Sequence, residues 1–417
     1  MDQNELFTMG LGLIAPWKVV QSGLEAGDAG TKVLFVEIDF AAGAKLPCPT
    51  CGKACAVYDS ETKRWRHMNF WQHATYLSAR VPRVECGEHG VLQVQTPWAR
   101  AGSGFTLMFE ALVMALIAEM PVRAAARLVG EHDTRLWRII RHYVKMAHAE
   151  QDWSGVSAVA IDETATRKGH RYASVAVEVD LKQEVPARLL FMTPERTAQS
   201  VGEFVAEMGA HGANANQVRL AAIDMSPAYQ KGVREHLPKA QVVFDPFHVM
   251  KLAGEAVDAV RKPLHREGSL GKGAMWALRG NWGNLREEQR ELRIALCARH
   301  RTLGRALALR ESLQDVWQWP GPASAAMHLR GWCSWAARSR LAPFQKLART
   351  IKAHWDGILG FYPNRVTSAA IEAINGLIQT ARRRARGFRN FENLRSICYW
   401  IAGRLTLPLS TPFTHSF

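Results

Sequence analysis

Apolar positions recur in two distinct periods along the chain, and each predicts a different kind of element. From Phe105 to His148 the period is helical. Ala124, Ala125 and Leu128 form an apolar side after Pro121, Gly130-Glu131-His132 breaks it, and Leu136, Ile139, Ile140, Tyr143 and Val144 resume it behind Asp133. Two helices around a glycine-containing break give a helix-turn-helix outline. At Val156 the pattern changes to that of strands. Val156-Ser157-Ala158-Val159-Ala160-Ile161 reads as a buried strand that leaves its sheet at Asp162-Glu163. His170 to Asp180 alternates through Tyr172, Val175, Val177 and Val179 as a half-exposed strand, and Val185 to Met192 reads as a third. Val201, Phe204, Val205 and Met208 fall at i, i+3, i+4 and i+7 of a helix. Val218 to Ile223 is another buried strand, ending in Asp224. Ser226-Pro227 starts a helix, and Ala240 to Phe244 is a strand ending in Asp245, with His248 just beyond. Residues 246–366 carry almost no strand signal. A final helix is expected from Thr367 or Ser368, with Ala370, Ile371, Ile374, Leu377, Ile378 and Ala381 on one face and Glu372, Asn375, Gln379 and Arg383 on the other.

Length and charge add a partner class to this outline. At 417 residues the chain exceeds one ordinary core and predicts two to four domains. A formal charge of +15 favours a polyanion, with nucleic acid the leading candidate, because cations that neutralise phosphates release condensed counterions. The most apolar long run, Phe105 to Met120, is too short and carries too many acids (Glu110, Glu119) to span a bilayer, so no membrane partner is expected. The start Met1-Asp2-Gln3-Asn4-Glu5 lacks the basic opening of a signal peptide, which makes the cytoplasm the expected compartment.

Residues 1–45 hold a probable strand at Lys32 to Phe40, and the cysteines then point to a metal. Cys48-Pro49-Thr50-Cys51-Gly52 is followed, after 34 intervening residues, by Cys86-Gly87-Glu88-His89. Two such knuckles suit a tetrahedral structural zinc ion held by Cys48, Cys51, Cys86 and His89, with Cys55, His67 and His73 as alternative fourth ligands. The neighbourhood is basic and aromatic: Lys63, Arg64, Trp65, Arg66, Trp71, Arg80 and Arg83 are a candidate nucleic-acid contact, with Trp65 and Trp71 alternatively a small core. In the helix-turn-helix, Thr134, Arg135, Arg138, Arg141 and His142 would lie on the outer face, able to reach phosphates or guanine edges. Arg382, Arg383, Arg384, Arg386 and Arg389, five arginines in eight residues, suit a phosphate backbone. Seven tryptophans fall between 246 and 366 and are expected to be mostly core packing.

Strand, strand, strand, helix, strand, helix, strand, helix is the element order of the ribonuclease H fold, which delivers Asp162 and Asp224 to one edge. Hard carboxylate oxygens there suit magnesium, and two divalent ions suit phosphodiester chemistry. Asp245, followed by His248, is the alternative to Asp224, and Glu372 is a candidate third acid.

Together these residues resemble the DDE transposases of bacterial insertion sequences, specifically the ISL-three family. The resemblance runs through Cys48-Pro49-Thr50-Cys51-Gly52, Arg66-His67-Met68, Ala160-Ile161-Asp162-Glu163 with Arg167-Lys168-Gly169-His170-Arg171-Tyr172, and Asp224-Met225-Ser226-Pro227-Ala228-Tyr229. It continues in Asp245-Pro246-Phe247-His248-Val249 and in Glu372-Ala373-Ile374-Asn375-Gly376 leading to Arg386-Gly387-Phe388-Arg389-Asn390-Phe391. Ala373 departs from the glycine that often follows the acid in this family.

The resemblance implies a multidomain α+β chain. A zinc ribbon-like domain would occupy 1–100, a helix-turn-helix 101–150, the first part of an RNase H-like core 151–250, an all-helical insertion 251–362, and the core's last helix and basic segment 363–417. The family's acidic triad falls on Asp162, Asp224 and Glu372, which would hold two Mg2+ ions, with Mn2+ able to substitute. The implied activity is binding of terminal inverted repeats and metal-dependent cleavage and joining of double-stranded DNA, by a homodimer associated with the bacterial nucleoid when bound. The competing readings are a DNA-binding regulator without chemistry and a structure-specific nuclease of the same fold.

Overall fold

The computed structural model describes all residues except 1, 28–29, 168–170, 182–183, 366–368 and 410–417. Lys168-Gly169-His170 and the expected helix start at Thr367 or Ser368 lie outside the described residues. The chain divides into two units: Met1–Ala147 with Arg384–Phe388 and Leu405–Phe417, and His148–Arg383 with Arg389–Arg404. No helix among the described residues is long and apolar enough to cross a membrane.

The first unit opens with α1 (Gln3–Gly10), β1 (Trp17–Ala26) and β2 (Lys32–Phe40). The two-residue strands β3 (Leu46–Pro47) and β4 (Ala54–Cys55), the long hairpin β5 (Val57–Phe70) and β6 (His73–Cys86), and β7 (Gly90–Gln93) follow. The sheet runs β1-β2-β6-β5, with β7 on β6 and β2 parallel to β6. Val36, Ile38, Leu77 and Val84 are buried in its core, and Trp98 packs edge-on against both Trp17 (5.0 Å) and Trp65 (5.6 Å). Trp65 is therefore core, whereas Trp71 is exposed in the hairpin turn.

Three helices follow, α2 (Leu107–Glu119), α3 (Val122–Val129) and α4 (Asp133–Ala149). Pro121 is the N-cap of α3, and Gly130 closes the helix with a left-handed φ of 70°, which glycine adopts without strain. Leu136, Ile139, Ile140, Tyr143 and Val144 are all buried, as their period predicts. The apolar face of α2 also contains the fully buried Glu110, whose carboxylate accepts from Arg100 Nε at 3.0 Å and from the Tyr143 hydroxyl at 2.5 Å.

The second unit is built on the sheet order β10-β9-β8-β11-β12, from β8 (Ala158–Arg167), β9 (Arg171–Glu178), β10 (Arg188–Pro194), β11 (Leu220–Ile223) and β12 (Gln241–Phe244). Helices α5 (Ala198–Ala210), α6 (Pro227–His236) and α7 (Pro246–Arg266) alternate with the later strands, so the predicted element order is found. Two expectations about these strands need correction. β8 does not leave its sheet at Asp162: it continues to Arg167 on the β9 side, and only its pairing with β11 stops at Ile161. β9 is not half-exposed, because Ala173, Ser174, Val175, Ala176 and Val177 are all buried, the signature of a strand covered on both faces.

Beyond α7 the chain is helical through α8 (Ala274–Arg279), α9 (Glu287–Arg299), α10 (Arg301–Gln314), α11 (Pro322–Arg338), α12 (Ala342–Ala353), α13 (Trp355–Leu359) and α14 (Phe361–Asn364). α15 (Ala369–Arg384) and α16 (Phe391–Ala402) end it. Of the seven tryptophans expected to be mostly core, Trp332 is buried, its Nε1–H donating to the Leu309 carbonyl at 2.7 Å. Trp276, Trp282, Trp319 and Trp335 are exposed instead. Arg290 and Arg293 lie over the Trp282 ring, at 5.9 and 5.5 Å, so a guanidinium plane supplies part of the cover that a core would.

Candidate active site and metal centre

Register places three acids side by side. Ile161 pairs with Ile223, and Ile223 with Phe244, so Asp162, Asp224 and Asp245 are the next residues along three neighbouring parallel strands. Strands lie ~4.8 Å apart, so neighbouring acids on this edge share one electrostatic environment. Burial pushes the Asp162 carboxyl above its ordinary range, and the charges of Asp224 and Asp245 add to the rise while His248 opposes it. Sequence reasoning treated Asp224 and Asp245 as rivals for one place; the fold brings both to the same edge.

Each acid is oriented differently. Asp162 accepts from Asn375 Nδ2 at 3.2 Å. Asp224 accepts from the Ser226 backbone N–H at 2.8 Å, so the expected N-cap serine contributes its main chain to this acid rather than a side-chain cap. Asp245 is the N-cap of α7 and accepts from the Phe247 N–H at 3.1 Å. Its Oδ2 and His248 Nδ1, 3.7 Å apart, are buried, and neither has a hydrogen-bond partner among the described residues.

Arg196 is a site residue that the sequence did not disclose. Its guanidinium lies 2.9 Å from Glu163 Oε2 and 3.0 Å from Asp224 Oδ2. Glu163 therefore pairs with Arg196. Arg196 sits in the short connection between β10 and α5, where no periodicity marks it.

Helix α15 approaches this edge along a polar stripe. Asn375 reaches Asp162, Gln379 Nε2 donates to Thr164 Oγ1 and to the Ala165 carbonyl, both at 3.0 Å, and Arg382 Nη1 donates to the same carbonyl. The stripe thus runs 372, 375, 379, 382, spaced three, four and three as on one helix face. Glu372 is exposed one turn before Asn375, in the first turn of α15. Arg383 is exposed and off this stripe, contrary to the wheel expectation, and Leu377 is exposed while Ile371, Ile374 and Ile378 are buried. Arg384, Arg386 and Arg389 are exposed in and after the last turn of α15. Arg386 (φ 55°) and Gly387 (φ 95°) turn the chain, and the Arg389 carbonyl accepts from Arg167 at 2.6 Å.

The four residues expected to ligate zinc, Cys48, Cys51, Cys86 and His89, converge in the first unit. Cys51 Sγ and Cys86 Sγ are 3.7 Å apart, Cys86 Sγ and His89 Nδ1 3.5 Å, and Cys48 Sγ and His89 Nδ1 3.9 Å. A tetrahedral ion ~2.3 Å from each sulfur separates two sulfurs by ~3.8 Å, so these edges fit zinc. The backbone N–H of Glu88, aided by that of His89, pulls the Cys86 thiol down to about 7, and those of Cys51 and Thr50 lower Cys48, favouring the thiolates a metal requires. Of the alternative ligands, Cys55 lies beside Cys86 and its Sγ donates to the Lys53 carbonyl at 3.3 Å, whereas the half-buried His67 ring is 2.8 Å from Thr106 Oγ1, its pKa lowered by desolvation to about 4.

Much of the basic neighbourhood is used internally. Arg66 is buried, donates to the Val129 carbonyl at 3.2 Å and lies 3.7 Å from Glu131; Arg80 pairs with Asp39, Arg83 with Asp59, and Arg64 covers the Tyr76 ring at 3.9 Å. On α4, Arg135 is held by Glu131 and lies 4.4 Å from the Phe105 ring, whereas Thr134, Arg138, Arg141 and His142 stay exposed.

A helix-turn-helix, a cluster of three cysteines and a histidine able to hold a metal ion, and a parallel-strand edge lined with acids are the features of a DNA-binding enzyme of the DDE transposase class. The family model for the ISL3 DDE domain, described as "Transposase", matches residues 159–398. Models described as "Helix-turn-helix domain of transposase family ISL3" and "zinc-finger of transposase IS204/IS1001/IS1096/IS1165" match 94–144 and 45–89. The chain belongs to the ISL3 family of insertion-sequence transposases. It is 28% identical to the transposase for insertion sequence element IS1001 of Bordetella parapertussis, over 83% of this chain and 86% of that one. It is 29% identical to the transposase for insertion sequence element IS1557 of Mycobacterium tuberculosis, over 87% of both chains.

Proposed function

We propose that Asp162, Asp224 and Glu372 are the acids of this transposase, and that they hold the divalent ions with which it cuts the terminal inverted repeats of its element and joins them to target DNA. The observation that carries this reading is the α15 stripe, in which Asn375 binds Asp162 and so ties the helix bearing Glu372 to the strand bearing the first acid. The strand order, with two parallel neighbours of β8 on one side and an antiparallel pair on the other, supports an RNase H-like core. On this reading the helical segment 251–362 interrupts that core, the zinc domain and helix-turn-helix occupy 1–100 and 101–150, and 151–250 and 363–417 complete the catalytic part. The chain acts as a homodimer on paired DNA ends, on the bacterial nucleoid.

The acids suit a hard divalent cation. Asp162 is half-buried beside other carboxylates and its proton affinity is raised, a charge excess that magnesium, or manganese in its place, relieves. When bound, such ions activate the attacking oxygen and stabilise the leaving one. The protein's own contributions are positional. Asn375 fixes one oxygen of Asp162, the Ser226 N–H fixes one of Asp224, and Arg196 neutralises the other Asp224 oxygen together with Glu163. Arg196 thereby stands where added positive charge competes with a cation. Arg196→Ala is expected to lower the half-saturating magnesium concentration about fivefold, since a partly exposed ion pair is worth ~1 kcal/mol. Titration of cleavage against magnesium checks this, and an unchanged or raised requirement contradicts it.

The DNA contacts follow exposure. Arg138 and Arg141 on α4, and Arg383, Arg384, Arg386 and Arg389, are free to meet phosphates, with Arg135 and Arg382 contributing from partly committed positions. Arg138→Ala and Arg141→Ala should each lower the slope of log affinity against log salt by ~1 on terminal-repeat duplex. Filter binding or anisotropy at several salt concentrations measures it, and unchanged slopes in both variants rule out α4 as the recognition helix.

A further inference from the structure

We infer that His148, Glu207 and His211 form a second transition-metal site, of zinc type, in the catalytic unit and separate from both the acidic edge and the cysteine knuckle. His148 lies in the last turn of α4, Glu207 in the last turn of α5, and His211 caps α5 one turn beyond Glu207. The i, i+4 spacing puts Glu207 and His211 on one helix face. Both imidazoles are buried.

The hydrogen bonds determine which ring nitrogens are free. His148 Nε2 is 2.9 Å from the Leu190 carbonyl, and His211 Nδ1 is 2.9 Å from the Gln151 carbonyl. A carbonyl oxygen only accepts, so each of these nitrogens carries the ring proton. In neutral rings, His148 Nδ1 and His211 Nε2 are therefore lone pairs, and both face the same carboxylate oxygen, Glu207 Oε1, at 3.9 and 3.5 Å. All three atoms lie within 4.8 Å of one another. Three acceptors turned toward one point repel unless a cation sits among them.

A metal satisfies the same three atoms without charging the rings. Two imidazoles and a carboxylate suit zinc, cobalt or nickel rather than magnesium. An imidazole that donates its second N–H to a backbone carbonyl is also the usual outer support of a metal-bound histidine. The rings are held in place by stacking: His211 on Trp153 at 3.9 Å and His148 on Tyr399 at 4.1 Å. Glu207 is half-exposed, which leaves the fourth position to water on that side. The Trp153 N–H binds the His211 carbonyl at 3.0 Å, so the ion would brace the segment that leads into β8.

The test counts metal on the full-length protein, independently of cleavage. After chelation and reloading with zinc, elemental analysis should give two equivalents per chain for the wild type, and one for both Glu207→Gln and His211→Gln. Cys51→Ser should keep the equivalent that those variants lose. With cobalt, the Cys51→Ser protein should show d–d bands of a nitrogen and oxygen site, and Glu207→Gln should retain the thiolate charge-transfer bands of the knuckle. Glu207 is half-exposed and glutamine nearly isosteric, so that variant does not depend on repacking the core. One equivalent in the wild type, or two retained in Glu207→Gln, would overturn the proposal.

Discussion

Asp162→Asn is expected to lower the rate of cleavage at the element's ends by at least ~10³-fold while leaving binding of the terminal-repeat duplex unchanged. Ion-assisted stabilisation of the reacting oxygens is worth several kcal/mol, and each 1.36 kcal/mol is a factor of ten in rate. Asparagine supplies no charge to hold a hard cation. It does keep an oxygen for the Asn375 amide, which donates to Asp162 Oδ2, so the docking of α15 on β8 should survive. The same substitution should raise the thermal midpoint of the metal-free protein, because it removes a half-buried negative charge beside Asp224 and Asp245. Loss of activity together with gain of stability separates a functional acid from a structural one, whose removal lowers both. Strand-cleavage assays with magnesium and thermal melts in EDTA measure the two effects.

Cys51→Ser should remove zinc from the knuckle and disorder its two turns while the sheet behind it stays folded. Structural zinc contributes ~10–16 kcal/mol in small domains, so the loss of one of four ligands should weaken binding by roughly 10²–10³-fold. The damage is local for a structural reason. Cys48 and Cys51 lie between the two-residue strands β3 and β4, and Cys86 and His89 lie at the turn from β6 to β7. The strands behind them are held by an apolar core of their own, with Trp17, Val36, Ile38, Trp65, Leu77 and Trp98 buried. Retained far-ultraviolet circular dichroism, with proteolytic cleavage confined to residues 46–55 and 86–90, is the expected signature. Global unfolding would mean that the ion carries the whole sheet.

The order of the elements and the acidic edge could be read from the chain because buried parallel strands leave short apolar runs, and each run here ends in an acid: Asp162, Asp224 and Asp245. The cysteine spacing likewise disclosed the knuckle. Partnerships formed by loops were not legible. Arg196 reaches Glu163 and Asp224 from a connection with no period, and nothing near it in sequence marks that reach. The continuation of β8 through Asp162 was missed because two polar residues look like a strand end, whereas the antiparallel partner β9 holds them in the ladder. Arg66, Arg80 and Arg83 looked like a nucleic-acid surface because composition does not reveal that Glu131, Asp39 and Asp59 already pair them. The helix wheel identified the polar face of α15 but chose Arg383 where Arg382 makes the contact, an error of one residue at the frayed end of the stripe.

Asp162 remains the residue on which these contacts converge, from Asn375 on its helix to the neighbouring acids on its sheet edge. The most direct measurement is a crystal structure of the protein with manganese in place of magnesium, its ions located by anomalous scattering. The proposed site predicts an ion ~2.1 Å from carboxylate oxygens of Asp162 and Asp224, with Glu372 turned in to the same site and Arg196 moved off Asp224. Manganese bound by Asp245 and His248, with Asp224 still paired to Arg196 and Glu372 left in solvent, would contradict it.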